Sequence, residues 1–506
     1  MDFSFANLIG RFSLTRILLL AFIFRVVASV FSEGYAMYDD HFLIIEVAQS
    51  WVDGKNVGDW LPNKAQGITE PKEHNLFYTG IHYLLFKAMH NVGLNDPKAK
   101  MLFIRLVHAF YSLLVVYYGY KIALVLAGEE CARYTGLLLA MLWFMPNLSV
   151  RNLVEMVCIP PLLAGIWILL RDNMDVLKKF LLAGFVSAFA FDIRYQTALF
   201  LVGIIMVLLL QRKWLGAIFF GLGCVINVLL FQVTIDCYFW GYPFAEFIAY
   251  AKFNLAHRNE CITGYWFNYP LLITGLVLPP LSLMFWYGYF TTARKYLMLF
   301  LPSFLFLVFH CYFPNKQERF ILPFIPIFII QGNLGWYTFQ RSSAFWQIHK
   351  LLLNRMLLLV AVVNFILLII CSVASTKTSR MDSMYYLYQR GDSHGFIVEA
   401  TYQGSAFEDF PRYYAAKWDN DYVLNSNYGA AELKNQLRDS SAYPNYVIFL
   451  SDNNLYARIA KFRQSYPDIA QLNTIQPSFI DRLFHRLNPV NENEPCYIFS
   501  LKRPTD

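Results

Sequence analysis

Long apolar runs, separated by short charged or turn segments, fill the first three quarters of the chain. About eleven of these runs approach the roughly 20 residues that a helix needs to cross a bilayer. Two of them are short, so the pattern predicts between about ten and thirteen spanning helices. The runs lie at approximately 14–32, 101–127, 134–150, 154–170, 179–193, 195–210, 214–234, 270–290, 296–312, 320–337 and 351–373.

The apolar pattern ends near Ser372, after which the sequence has the character of a soluble domain. Runs rich in β-branched and aromatic residues predict strands there, and they alternate with helix-like runs. We therefore predict a membrane domain at 1–375 and a small α/β domain at 376–506 with a supporting or acceptor-binding role. Strands are expected at Gly395 to Glu399, Tyr422 to Leu424, Tyr446 to Leu450 and Cys496 to Leu501, and helices at Ala430 to Leu437 and Leu455 to Gln464.

Loop charge predicts the orientation of the chain. The lysines and arginines of the short loops favour a cytoplasmic N-terminus by the positive-inside rule. The external face then receives two long loops, 33–100 and 235–269, and the whole C-terminal domain. In the first loop, Phe42 to Val52 and Leu76 to Met89 predict amphipathic helices that lie at the interface or pack against the bundle. No cleavage site follows the first apolar run, which we interpret as a retained span.

Composition excludes several classes of protein. Hydrophobic residues make up 57% of the chain and charged residues only 15%, well outside the usual range for a soluble protein. A net charge of +7 over 506 residues, with no basic run among aromatics, gives no reason to expect a nucleic-acid partner. The eight cysteines have no metal-ligand spacing, so no bound metal is expected. Cys237 and Cys261 share the second long loop, where they either pair or stay separate.

Ionisable residues interrupt the apolar pattern in five places, all on the predicted external side. Charged groups near a bilayer are costly, so those that occur there usually pair, face a cavity or act in the function. Arginine binds phosphate oxygens with a planar fork, which suits an anionic lipid headgroup, although internal ion pairing explains single residues equally well. The five segments are Tyr38 to His41, Arg151 to Glu155, Asp192 to Gln196, Asp236 to Gly241 and Asn315 to Arg319.

The adjacent carboxylates Asp39 and Asp40 follow closely on the first predicted span. Repulsion between them raises the proton affinity of one, which is a route to a general base for an acceptor hydroxyl. An acidic start to a helix, with the side chains capping free backbone N–H groups, accounts for the dipeptide as well.

Taken in order, these segments resemble the glycosyltransferase-C superfamily, most closely the family 22 mannosyltransferases that use dolichol-phosphate-mannose. Tyr38-Asp39-Asp40 is similar to the family's Pro-Asp-Glu motif, with Glu46 near a further acidic position. The run from Asp236 to Gly241, followed by Thr263-Gly264-Tyr265-Trp266, resembles its central loop. Asn315-Lys316-Gln317-Glu318-Arg319-Phe320 resembles its His-Lys-Glu-x-Arg-Phe signature, with Asn315 and Gln317 in place of the His and first Glu. These departures and the missing Pro indicate a divergent, bacterial relative.

The resemblance implies an inverting transfer of a hexose, mannose in the first place, from a polyprenyl-phosphate donor to a glycan or glycolipid acceptor. The catalytic pair would be Asp39 and Asp40, with Asp39 as base. Arg151, Arg194, Lys316 and Arg319 would bind the donor phosphate. The residues that would position the substrates are His41, Glu46, Glu155, Gln196, Asp236 and Glu318.

The same interpretation predicts a monomer that needs no cofactor, with no support in the sequence for a divalent cation. Its active site would face the periplasm, or the lumen of the endoplasmic reticulum in a eukaryote. Two alternatives stay open. A flippase for lipid-linked saccharides would normally show pseudo-symmetric halves, and no repeat is visible. An O-antigen polymerase or ligase would act on lipid diphosphates.

Overall fold

The structure is a computed structural model that describes residues 9–35, 37–172, 174–260, 262–401, 409–418, 421–425, 429–437, 443–487 and 493–502. These residues form two compact units. The bundle unit contains the chain up to Val30, Asp59–Gly80 and Ile104–Val373. The C-terminal unit contains Phe31–Gly58, Ile81–Phe103 and the chain from Ala374 onward. Parts of the first long loop therefore belong with the C-terminal domain, which the predicted division at residue 375 did not anticipate.

Helices account for most of the chain, and each predicted span coincides with one helix or with consecutive helical segments. The α-helices up to residue 372 are Leu14–Phe31, Tyr38–Asp40, Val47–Val52, Leu76–Asn91, Pro97–Met141, Met145–Val150, Val154–Val157, Ile159–Leu169, Val176–Ile193, Ala198–Leu210, Trp214–Val228, Thr234–Trp240, Ala245–Ala256, Asn268–Leu276, Leu281–Thr291, Leu297–Tyr312, Phe324–Ser342, Ala344–Ile348 and Lys350–Ser372. Short 3₁₀ turns lie at Lys64–Gln66, Tyr195–Thr197 and Glu318–Ile321, and π-helical turns lie at His41–Glu46 and Leu229–Val233.

Four helical segments in the described residues are long and apolar enough to cross a membrane: Leu14–Phe31, Pro97–Met141, Trp214–Trp240 and Lys350–Ser372. The longest of them contains a break at Gly128, where φ is 83°. This break lies between two of the predicted spans, so the long segment corresponds to two apolar runs of the sequence. Other predicted spans are divided between shorter helices, as at Asn268–Leu276 and Leu281–Thr291.

Small residues let helices of the bundle unit approach closely. A Cβ atom on Gly223 would lie 2.1 Å from the carbonyl oxygen of Leu181, and one on Gly184 would lie 2.0 Å from that of Phe220. Helices Val176–Ile193 and Trp214–Val228 therefore pack backbone against backbone at this crossing. Lipid supplies little hydrophobic drive for helix association, so such close van der Waals packing contributes much of the stability.

Arg25 is fully buried in helix Leu14–Phe31 of the bundle unit. Its Nε donates to the Ser112 hydroxyl at 2.9 Å, and its terminal nitrogens reach the carbonyls of Leu139 and Ala140 at 3.3 and 3.2 Å. Those carbonyls lie in the last turn of Pro97–Met141, where the helix itself offers no further N–H partner. The guanidinium group thus satisfies a helix end, which accounts for its place in an apolar run.

The C-terminal unit contains a five-stranded sheet. Its strands are β1 Phe396–Glu399, β2 Asp421–Leu424, β3 Tyr446–Leu450, β4 Ile469–Ile475 and β5 Cys496–Leu501, and the helical segments are Thr378–Arg390, Arg412–Ala415, Ala430–Leu437, Leu455–Ser465 and Phe479–Leu487. The strands are arranged in the order β2-β1-β3-β5-β4. β1, β2 and β3 are parallel, whereas β5 and β4 run antiparallel to their neighbours. The small C-terminal sheet is present as predicted, and β4 is an edge strand that the sequence pattern did not reveal.

The glycine contact at Gly223 can be tested within one helix, because a Cβ atom added to Gly221 would meet no described atom within 4 Å. Gly223→Ala should lower stability by about 1–3 kcal/mol through overpacking. Gly221→Ala should be neutral or stabilising by up to about 1 kcal/mol, because alanine is the better helix former. Thermal unfolding of the two variants in the same detergent measures the difference. Equal midpoints would contradict the close-packing account.

Candidate active site

A buried carboxylate and two arginines form a charged cluster within the bundle unit. Arg194 donates through Nη1 to Oε1 of Glu155 at 2.7 Å, and Nε of Arg319 lies 3.5 Å from the same oxygen. Glu155 is wholly inaccessible, while the two arginines are 8% and 7% exposed. Both guanidinium groups also lie over the ring of Phe320, at 4.9 and 5.5 Å from its centroid. We call Glu155, Arg194 and Arg319 the arginine cluster.

The arginine cluster brings two guanidinium groups to one carboxylate oxygen. Among the described residues, Nε and Nη2 of Arg194 and Oε2 of Glu155 are buried and make no hydrogen bond. Unpaired buried donors are costly and usually indicate a ligand or ordered water. An anion with several acceptor oxygens matches the open donors of Arg194.

Chain geometry explains why these residues meet. Glu155 lies in the first turn of the short helix Val154–Val157, Arg194 follows the last turn of Val176–Ile193, and Arg319 lies in the turn Glu318–Ile321. Arg319 is held further by Gln317, whose side-chain oxygen accepts from Nε at 2.9 Å. Three interruptions of the apolar pattern that sequence reasoning singled out separately are thus brought to one place.

Lys316 has a different role in the structure from the predicted one. Its Nζ donates to the carbonyl oxygens of His310 at 2.6 Å and Cys311 at 2.9 Å, and also to that of Phe313. An ammonium group has three N–H donors, so these three carbonyls use all of them. Burial lowers the pKa of Lys316. The side chain caps the C-terminal end of helix Leu297–Tyr312, where a positive charge also interacts favourably with the helix dipole.

The second long loop lies against the segment that carries Lys316. Thr263 and Asn315 form an antiparallel bridge, and the N–H of Lys316 donates to the carbonyl of Ile262 at 2.8 Å. A Cβ on Gly264 would lie 2.9 Å from Cγ of Lys316, so this contact needs glycine. Two motif elements of the resemblance, distant in sequence, are therefore paired. Cys261 lies outside the described residues. The prediction that Cys237 and Cys261 either pair or stay separate therefore also concerns a residue outside them.

Tyr250 lies beside the arginine cluster on helix Ala245–Ala256 of the same loop. Burial raises the pKa of its hydroxyl, an effect that nearby Arg194 and Arg319 and a hydrogen bond with the side chain of Gln196 oppose. Gln196, predicted to position substrate, is thus held next to the cluster. Tyr250 was not among the predicted residues, and only its place in an aromatic-rich loop helix gave any signal.

Asp236 takes part in a buried network that shapes the second long loop. Gln232 donates to both Asp236 and Glu246 at 3.1 Å, and the backbone N–H of Glu246 donates to Asp236 at 3.2 Å. Glu246 also accepts the N–H of Leu76 at 3.0 Å, at the start of helix Leu76–Asn91. Burial raises the pKa of Glu246 to about 7. Asp236 therefore organises the loop rather than presenting a free carboxylate.

Asp39 and Asp40 belong to the C-terminal unit. They end the short helix Tyr38–Asp40, which continues directly into the π-helical turn His41–Glu46. Asp39 is partly exposed, whereas Asp40 is 5% exposed. π-helical turns are rare in proteins, and those that occur are frequently found at functional sites. The π-helical turn beside the predicted base Asp39 is therefore consistent with a functional site in this segment.

His41 and Glu46, predicted to position substrate, are both buried and engaged within the C-terminal unit. His41 stacks on Tyr35 and Tyr414, and burial lowers its pKa to about 3. It is therefore neutral, and its 3.8 Å approach to Glu46 is no ion pair. Glu46 accepts the backbone N–H of Tyr413 at 3.1 Å, and burial raises its pKa to about 7.

The remaining predicted residues take separate positions. Arg151 is 5% exposed and lies just after helix Met145–Val150, four residues before Glu155. Glu318 is exposed, although its neighbour Arg319 is buried. In the described part of the chain, no three His, Cys, Asp or Glu side chains group as metal ligands would.

Comparison with solved structures shows a shared fold. ArnT from Cupriavidus metallidurans bound to undecaprenyl phosphate aligns with a TM-score of 0.59 at 14% identity, over 96% of this chain and 97% of ArnT. AglB, the oligosaccharyltransferase of Archaeoglobus fulgidus, in complex with an inhibitory peptide and a dolichol-phosphate, aligns with a TM-score of 0.52 at 10% identity, over 92% of this chain and 73% of AglB. These similarities confirm the predicted glycosyltransferase-C fold. No curated protein matches the chain.

Residues 16–399 match the model of the Alg9-like mannosyltransferase family, which confirms the resemblance to family 22. The match includes the arginine cluster, the segment of Asp39 and the second long loop. The chain therefore belongs to the Alg9-like mannosyltransferase family of membrane glycosyltransferases.

Proposed function

We propose that the protein is an inverting hexosyltransferase that moves mannose from a polyprenyl-phosphate donor to a hydroxyl group of a glycan or glycolipid. The observation that carries this proposal is the arginine cluster, in which Nε and Nη2 of Arg194 are buried and make no hydrogen bond to the described residues. A lipid monophosphate supplies the anionic oxygens that such a cluster would bind.

Two relatives in fold support a lipid-phosphate donor. The ArnT structure contains undecaprenyl phosphate, and the AglB structure contains a dolichol-phosphate. In this chain, Arg194 and Arg319 would bind the phosphate and stabilise the charge that develops on it as the sugar leaves. Arg151 stays a candidate for the same role. We do not assign Lys316 to phosphate binding, because its three N–H donors already bind carbonyl oxygens.

The chemical step that we propose is a single displacement. The carboxylate of Asp39 takes the proton of the acceptor hydroxyl, and the acceptor oxygen forms a bond to the anomeric carbon. The bond between that carbon and the donor phosphate oxygen breaks, and polyprenyl phosphate leaves with both electrons. The anomeric configuration inverts. Loop charge supports a reaction on the extracytoplasmic face, and the donor is itself activated, so no cofactor takes part.

Replacement of the proposed base gives the first test of this mechanism. Asp39→Asn should lower kcat about 10²–10⁴-fold, because proton removal by a positioned base contributes that much. Asp59→Asn is the matched control, since Asp59 is an exposed carboxylate in the same long loop. Transfer of radiolabelled mannose from polyprenyl-phosphate-mannose by purified protein measures both. Full activity of Asp39→Asn would remove Asp39 from the chemistry.

Replacement of Arg194 tests phosphate binding. Arg194→Gln should weaken binding of undecaprenyl phosphate about 10–100-fold, the value of one or two charge-assisted hydrogen bonds. Arg319 remains 3.5 Å from Glu155, so that carboxylate keeps a cation. Arg194→Lys should restore little, because an ammonium group lacks the fork.

Arg133→Gln is the control for Arg194, because the partly exposed Arg133 pairs with Glu129 in the same unit. Calorimetric titration with undecaprenyl phosphate measures the three variants, with thermal midpoints to verify folding. An Arg194→Gln variant that binds the lipid as tightly as the wild type would contradict the assignment.

A further inference from the structure

A short segment of the C-terminal domain, residues 409–415, packs against the helix that carries Asp39. We call residues 409–415 the clamp segment. Asp409 accepts a hydrogen bond from the hydroxyl of Tyr38 at 2.8 Å. The backbone N–H of Tyr413 donates to Glu46 at 3.1 Å, and Nε of Arg412 lies 3.6 Å from the same carboxyl group. These contacts lie within the C-terminal unit and join parts of the chain about 370 residues apart.

The clamp segment holds both ends of the π-helical turn His41–Glu46. At the first residue, the ring of His41 stacks on Tyr414 with centroids 5.6 Å apart and planes 5° from parallel. At the last residue, Glu46 accepts from Tyr413. Both side chains of the turn are at most 2% exposed. A π-helical turn has poorer intrinsic stability than an α-helical turn, so contacts of this kind are needed to maintain it.

The clamp segment is itself anchored on several sides. The hydroxyl of Tyr413 donates to the carbonyl of Pro97 at 3.2 Å, and its ring lies 5.6 Å from that of Phe86. Arg412 also donates to Asp421 in β2 at 3.3 Å. The backbone carbonyl of Asp409 accepts from Arg380 at 3.5 Å. The segment is therefore fixed by the sheet domain and by other parts of the first long loop.

The direction of Asp39 depends on this π-helical turn. A π-helical turn contains one residue more than an α-helical turn, and each helical residue rotates the chain by about 100°. If residues 41–46 returned to α-helical form, Asp39 would rotate by about that angle relative to helix Val47–Val52. A displacement of a base by even about 1 Å can cost about 100-fold in rate.

We propose that the clamp segment orients Asp39 for proton transfer by holding the π-helical turn. Tyr414 and Arg412 are thus positioning residues for the transfer reaction, although they belong to the C-terminal domain. This inference rests on the proposed function, in which Asp39 is the base. It gives the C-terminal domain a defined task in the reaction.

Tyr414 offers the sharpest test, because its aromatic ring can be removed or kept. Tyr414→Ala removes the stacking on His41, and Tyr414→Phe preserves it. Tyr466→Ala is the control for general damage, since Tyr466 is 2% exposed and packs in the core of the same sheet domain. The full-length variants are compared by hydrogen–deuterium exchange of residues 38–46 and by kcat and KM for polyprenyl-phosphate-mannose.

If the clamp segment holds the π-helical turn, residues 38–46 should exchange faster in Tyr414→Ala than in the wild type. The same variant should lose at least about tenfold in kcat, with the donor KM within about twofold of wild type. Tyr414→Phe should match the wild type in both readouts. Tyr466→Ala should keep normal exchange in residues 38–46 and normal kcat per folded molecule.

Unchanged exchange in Tyr414→Ala would overturn the clamp, and so would faster exchange with an unchanged kcat. Both results can occur while the wild type transfers mannose and Asp39→Asn does not, so the proposed function would stand. A wild type that transfers no sugar would instead overturn the proposed function together with the catalytic role of the clamp. The exchange data would then still decide whether the clamp segment maintains the π-helical turn.

Discussion

The buried contact of Glu155 with Arg194 and Arg319 is the constraint that the bundle unit has to satisfy. Moving each ion out of water costs several kcal/mol, and only close pairing and hydrogen bonds offset that cost. The three chain segments that carry these residues must therefore come together. In the structure, nitrogen atoms of Arg194 and Arg319 lie 2.7 and 3.5 Å from Oε1 of Glu155. Lys316 fixes one of these segments to a helix end, and the second long loop pairs with it. The open donors that Arg194 keeps in this arrangement favour an anionic ligand.

The C-terminal unit depends on different interactions. Its important contacts join the first long loop to the sheet domain. Asp39 and Asp40 lie on a helix whose register depends on the π-helical turn His41–Glu46. His41 stacks on Tyr414, and Glu46 accepts the N–H of Tyr413 and lies 3.6 Å from Nε of Arg412, so stacking, a hydrogen bond and a charged contact hold this turn together. The carboxylates proposed for catalysis thus depend on residues far along the chain.

Sequence periodicity predicted most of the helices and four of the five strands, because apolar runs and β-branched clusters are local signals. It did not reveal β4, an edge strand in which only one of seven residues is buried. The cluster of Glu155, Arg194 and Arg319 could be anticipated from charge in apolar surroundings. The capping by Lys316 and the contacts of His41 and Glu46 could not, since each depends on partners that only the fold brings near. The clamp segment had no sequence signal for the same reason, and Tyr250 had only its place in an aromatic-rich loop helix.

The stereochemistry of the product tests the central claim most directly. Purified protein in proteoliposomes is supplied with polyprenyl-phosphate-mannose and an acceptor glycan, and NMR follows the anomeric proton while released lipid is quantified. Direct displacement predicts a glycoside of inverted configuration and one polyprenyl monophosphate for each bond formed. A product that retains the donor configuration, or a glycoside formed only from a lipid diphosphate, would contradict the account.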